Sequence, residues 1–251
     1  MTKLFRTRFA AGEPLMGSFV KTPAPHPVEV LGQAGFDFVV IDQEHAPWDR
    51  GTTELALLAA RAVGTAGIVR VPDGTPSKIL AVLDDGAAGV LVPHVYSVEI
   101  ARAVASACRY RGGSRGFSNT TRAGDYGAIG IWDHVDKADA EVCFVAMIED
   151  VPALDHLDEI LAVDGLHGVF IGRGDLAVAM GAASMEAPEV KDACTRICDA
   201  AKRAGKPVMM MAAGKAQADE FRALGASAFV VASDQGFMRQ AALKTLADMA
   251  P

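Results

Sequence analysis

Short apolar runs that stop on charged residues recur along this chain. In the stretch 142–150, VCFVAMIED, six apolar residues follow the first position and end abruptly on Glu149 and Asp150. FDFVVID ends the same way on Asp42, GIVR on Arg70, and HGVFIG leads toward Asp175. Brief apolar runs closed by polar residues read as strands buried on both faces. LMGSFV, AGVLVP, KPVMMM and SAFVVAS bring the set to eight. Between the runs, apolar residues recur at helical spacing over 28–33, 52–63, 77–85, 98–109, 189–204, 215–224 and 236–249. A further helix starts near Pro152 and carries Leu154, Leu157, Ile160 and Leu161, and a short one follows Asp175. Asp49 suits an N-cap, and Gly64 and Gly205 suit helix ends.

Eight strands alternating with helices predict an α/β fold, a (β/α)8 TIM barrel, because parallel strands need crossovers and right-handed winding closes the sheet. A doubly wound open sheet fits less well, since no Gly-x-Gly-x-x-Gly follows the first strand and charged residues follow most strands. The chain 1–251 shows no internal boundary and reads as one barrel domain. Its regularity lapses after the fourth βα unit, over the Gly-rich, polar stretch 110–139. A loop of that length is expected to act as a lid or an oligomer contact, with an ordered surface insertion as the alternative.

Composition narrows the function. With 251 residues, 51% hydrophobic and a formal net charge of −7, the chain has a large core and no excess of basic residues for nucleic acid or an anionic membrane. Cys108, Cys143, Cys194 and Cys198 lack the spacing of a disulfide scaffold or zinc ribbon, which points to a reducing compartment. No signal-peptide core and no membrane-length apolar run is present, so a cytoplasmic protein is expected.

In a barrel the strand C-termini share one face, so the charged tips become neighbours. Glu149 and Asp175, from adjacent strands, form the oxygen set a hard divalent cation needs. Magnesium or manganese suits them better than zinc, with cobalt a further candidate; a salt bridge to Arg70 or Arg173 is the alternative. Gly172, Arg173 and Gly174 precede a helix start whose free N–H groups suit a substrate carboxylate, or simply form a tight turn. His45, close to Asp42 and Glu44, has the setting of a general base, and Asp84 is a candidate to orient it. Arg70 ends an apolar strand and must be paired there, fixing a carboxylate or stabilising an oxyanion. His26, His94, His134, His156 and His167 read as structural or surface residues.

IDQEHAP, VRVPDG, LVPHVYS, RYRGGSRG, MIED, GVFIGRGDLA and VVASDQG, in this order over nearly the whole chain, resemble the HpcH/HpaI class II pyruvate aldolases. The resemblance implies metal binding by Glu149 and Asp175 and a base at His45 oriented by Asp84. It also implies enolate stabilisation by Arg70, Asp42 near the aldehyde, and the backbone of Gly174 and Asp175 near the pyruvate carboxylate. It further implies reversible addition of pyruvate, or a donor such as hydroxypyruvate, to an aldehyde. The assembly it implies is a homohexamer, a trimer of dimers, formed with the long loop and the C-terminal helix. Two positions depart from the family pattern: Met147 replaces a glutamine, and Arg173-Gly174 replaces Pro-Ala. The rival readings are a Schiff-base aldolase, for which Lys21 is the one plausible amine, a CoA-ester lyase of the citramalyl-CoA type, and a non-catalytic binding barrel.

Overall fold

The computed structural model describes residues 4–250. Eight strands close into one barrel in chain order, each parallel to the next: β1 (Leu15–Val20), β2 (Phe38–Asp42), β3 (Ala66–Arg70), β4 (Gly89–Val92), β5 (Cys143–Ile148), β6 (Gly168–Ile171), β7 (Val208–Met211) and β8 (Ala226–Ser233). The predicted barrel is therefore present. Its helices are α1 (Phe5–Ala10), α2 (His26–Gln33), α3 (Arg50–Val63), α4 (Pro76–Asp84), α5 (Val98–Cys108), α6 (Ile131–Glu141), α7 (Leu157–Leu161), α8 (Arg173–Ala179), α9 (Pro188–Arg203), α10 (Lys215–Ala223) and α11 (Asp234–Asp248). The expected stops hold. Asp49 caps α3 in a reciprocal box with Thr52, and Gly64 ends the helix in the left-handed region at φ 73°.

Strand alternation divides the core in two. Val39, Ile41, Val69, Phe144 and Val169 point outward and pack in the large cluster beneath the helices. Phe38, Val40, Ile68, Val145, Met147 and Phe170 point inward and fill the barrel. Inward glycines make room for the largest of these: a Cβ on Gly17 would sit 2.3 Å from the Phe38 ring, and one on Gly168 would sit 2.5 Å from Phe9.

Two helices escape the hydrophobic pattern. α1 is a single short turn and a half whose Phe5 and Phe9, four residues apart, stack at 5.5 Å and close the N-terminal end of the barrel against Phe38. α6 occupies residues within the supposed loop. Its apolar Ile131 and Trp132 are exposed while His134 is buried, so its inward face carries no simple apolar stripe. The irregular segment is correspondingly shorter than 110–139.

His167 joins β5 to β6 through paired bonds: its N–H donates to the Phe144 carbonyl (2.9 Å) and its Nδ1 accepts from the Phe144 N–H (3.0 Å). Burial, with Arg6 and Lys206 nearby, pushes its pKa down from 6.5 to about 3. The unfolded chain takes up a proton near pH 6.5 that the native ring refuses, so stability from this group is lost as pH falls from 6.5 toward 3. His167→Gln should flatten urea-melt stability against pH over that window by on the order of 4–5 kcal/mol relative to wild type.

Candidate active site

The inward series of three strands each end on a charged side chain. Phe38 and Val40 are followed by Asp42, Ile68 by Arg70, and Val145 and Met147 by Glu149. All three are buried, so each must find partners in the barrel mouth.

Arg70 and Asp42 stand opposite each other in register and form a two-pronged pair, Nε to Oδ1 at 2.9 Å and Nη2 to Oδ2 at 2.8 Å. The guanidinium lies over the Phe19 ring, 4.8 Å from its centroid. Burial opposes charge on Asp42, but the Arg70 bonds and charge outweigh it and hold its pKa below the usual carboxylate range. Asp42 also accepts from the His45 N–H at 3.1 Å and lies 3.3 Å from Lys21 Nζ. Lys21, the one amine considered for imine chemistry, is thus the ion-pair partner of a buried carboxylate. Asp234 accepts the Lys21 and Thr22 N–H groups at 2.8 and 3.1 Å, fixing the β1 tip.

Glu44, placed by the sequence at the β2 tip as a neighbour of His45 and given no role of its own, connects the mouth. Its carboxylate is 3.2 Å from Arg70 Nη1, 3.7 Å from His45 Nε2 and 3.8 Å from His94 Nε2. His45 itself is exposed beside it.

Glu149 is buried without an arginine or lysine ion-pair partner among the described residues. Burial first, then the like charges of Asp175 and Glu44, raise its pKa to about 7 against the pull of the His94 N–H. That N–H donates to Glu149 Oε1 at 2.9 Å. To do so, His94 adopts a left-handed φ of 56°, and its Nδ1 then lies 3.2 Å from both oxygens of Asp150. Burial disfavours charge on the His94 ring, but Asp150, Glu149 and Glu44 outweigh it and raise its pKa. Ligand atoms of His94, Glu149 and Asp150 all fall within 4.8 Å of one another. His94, read from sequence as a structural or surface residue, thus belongs to the same cluster, together with Asp150. The signal that could have found His94 is its place after Pro93, at the tip of β4.

Gly172 makes this cluster possible, since a Cβ there would meet Glu149 Oε2 at 2.6 Å. Asp175 lies exposed in the first turn of α8, near enough to Glu149 for its charge to be felt. Gly174 is exposed beside it with open space around it. Arg173 does not send its charge into free space: its Nη1 donates to Glu186 at 3.1 Å and its guanidinium lies over Phe221 at 4.6 Å. Met147 is buried in the inner core, two residues below Glu149. Asp84 does not join the group. It ends α4, which leads away from the β3 tip toward β4, and it accepts from Arg115 Nη2 at 3.1 Å.

The barrel with acidic and basic tips at one mouth defines an enzyme of the (β/α)8 class. The family model for HpcH/HpaI aldolase/citrate lyase matches residues 15–241, and the chain belongs to this family. It is a carbon–carbon lyase of the aldolase type. It is 36% identical over 256 residues to a hydroxypyruvate/pyruvate aldolase of Roseovarius nubinhibens, covering 98% of this chain and 96% of that protein. A 5-keto-4-deoxy-D-glucarate aldolase of Enterobacter sp. (strain 638) is 37% identical over 246 residues, 97% of this chain and 95% of its own. Among solved structures, an HpcH/HpaI aldolase/citrate lyase family protein of Burkholderia cenocepacia J2315 superposes with a TM-score of 0.91 at 28% identity, covering 97% of each chain.

Proposed function

We propose that this chain, a single barrel domain, is a divalent-metal-dependent aldolase. It joins pyruvate, or a pyruvate-like donor such as hydroxypyruvate, to an aldehyde, and cleaves 4-hydroxy-2-oxo acids in reverse. The observation that carries the reading is Glu149: a buried carboxylate beside the like charges of Asp175 and Glu44, with no ammonium or guanidinium ion-pair partner among the described residues. A hard cation relieves that repulsion, and oxygen donors suit magnesium or manganese, with cobalt as a third candidate. Glu149 and Asp175 would hold it. When bound, the cation would act as a Lewis acid toward the 2-oxo group and ease ionisation of the neighbouring C–H.

The chain's own groups divide the remaining work. Nε and Nη2 of Arg70 are engaged by Asp42, and Nη1, 3.2 Å from Glu44, would serve the oxygen on which negative charge develops by exchanging that contact for the substrate. His45, exposed beside Glu44, would take and return the proton. The first-turn N–H groups of α8, at Gly174 and Asp175, lack intrahelical acceptors and would bind the donor carboxylate. Asp42 lies at the aldehyde end. A role for Asp84 toward His45 requires a second copy of the chain, since within one chain Asp84 is paired with Arg115. The homohexamer implied by family resemblance fits α11, which buries none of its residues and exposes Met238, Leu243 and Leu246, with Met249 exposed just past its end. No described helix is long and apolar enough to cross a membrane. Four buried, free cysteines suit the cytoplasm, where we place the protein.

The test is deuterium exchange of the pyruvate methyl group, followed by proton NMR with Mg2+, together with a screen of pyruvate and hydroxypyruvate against short aldehydes. Asp175→Asn should weaken Mn2+ binding by calorimetry about tenfold or more, and Asp150→Asn much less. The reverse order would move the metal to the His94, Glu149 and Asp150 cluster. No exchange in the presence of metal would sink the aldolase reading.

A further inference from the structure

A cavity of about 700 Å3 opens at the end of the barrel opposite the strand tips, between α1, the starts of β2 to β5, and the segment that leads into α6. Five arginine and lysine side chains and three carboxylates line it, and two more carboxylates, Asp84 and Glu54, pair with lining cations from outside the lining. Two of those cations are committed: Arg8 to Glu13 and Asp37, and Arg61 to Asp125. Of the other three, Arg115 and Arg122 are each paired through Nη2 alone, and Lys137 is the third.

Arg115 is the unusual one. Its side chain is 1% exposed, its Nη2 donates to Asp84 and its guanidinium lies 4.4 Å over the Tyr110 ring, yet its Nε and Nη1 have no partner. Arg122 donates Nη2 to Glu54 at 2.6 Å and leaves its buried Nε without an acceptor. His134, also 1% exposed, has its Nε2 3.3 Å from the Tyr110 hydroxyl and its Nδ1 unpartnered. With Tyr110 donating to Nε2, Nδ1 carries the proton. Every unpartnered nitrogen in this group is then a donor, and an acceptor is what the site lacks. Lys137 makes no ion pair among the described residues. Burial and the nearby charge of Arg115 hold the His134 pKa down, in keeping with a positive potential there. Buried donors without acceptors are rare because each costs its full desolvation, and a bound ion is a standing explanation.

We propose that this cavity is a second binding site, for a small oxyanion bearing a carboxylate or phosphate group. Arg115, Arg122 and the His134 Nδ1–H supply the hydrogen bonds, and Lys137 supplies charge at the rim. The site lies at the end of the barrel opposite the strand tips and touches the proposed reaction only through Asp84, the partner of Arg115.

Titrating the full-length protein with inorganic phosphate, and in parallel with malonate, distinguishes the two anion chemistries. Calorimetry reads affinity, and the His134 imidazole proton resonances, assigned with His134→Asn, report the place of binding. Phosphate or malonate should shift those resonances saturably, and Arg70→Lys at the other end of the barrel should leave the shift intact. Arg122→Gln combined with Lys137→Gln should weaken binding about tenfold or more while pyruvate turnover stays at the wild-type level. Resonances unmoved by either anion would overturn the proposal, as would equal affinity in the double variant. So would shifts that follow protein concentration alone, which would assign the cavity to a carboxylate of another chain.

Discussion

Glu149→Gln loses at least about a thousandfold in pyruvate methyl exchange and aldol turnover, because it removes the one buried anionic ligand of the proposed metal site. Its metal-free form is nevertheless the more stable protein above neutral pH. The folded carboxylate has a pKa of about 7 against an ordinary 4.5, so the native state holds a proton that the unfolded state has already released. Ionising it in the fold therefore costs stability as pH rises through that window, on the order of 2–3 kcal/mol once complete, and a neutral amide avoids the cost. Urea melts at pH 8 without metal check the sign, and calorimetry with Mn2+ checks the ligand. A variant that melted earlier than wild type and still bound Mn2+ would contradict both halves.

Arg70 behaves in the opposite sense. Arg70→Ala leaves Asp42, which is fully buried, with only Lys21 as a cation, and removing one partner of a buried pair costs about 3–5 kcal/mol. Arg70→Lys keeps a charge near Asp42 but loses the planar fork and the stacking on Phe19. It should melt close to wild type while kcat falls about a hundredfold with pyruvate KM less affected, since the lost interaction matters most as charge develops on oxygen. Equal kcat in Arg70→Lys and wild type would remove Arg70 from the reaction and leave it a purely structural partner of Asp42.

The barrel could be read from the chain because apolar runs, caps and glycine stops all agreed, and strand period alone put Asp42, Arg70 and Glu149 on one inner layer. What could not be read depends on backbone geometry outside the strands. His94 enters the cluster through a left-handed turn, which no periodicity predicts. Glu44 is two residues past its strand, where alternation no longer sets direction, and it proves to connect Arg70, His45 and His94. Asp84 was expected beside His45, but a helix position reports its own face and not the partner it meets across the fold, which here is Arg115. α6 was missed for a related reason: the residue it buries most fully is a histidine held by Tyr110.

The seam of the barrel sets the order in which the molecule is completed. β1 pairs with β8, and Asp234 fastens the amide of Lys21 at a sequence separation of 213. A chain still being synthesised therefore holds β1 as an open apolar edge until β8 has been made, and shorter-range pairs such as β1 with β2 form long before the ring can shut. The mouth where Lys21, Asp42 and Arg70 meet is finished only at that last step. Premature termination before residue 226 leaves an unclosed sheet prone to edge-to-edge association rather than a smaller working barrel.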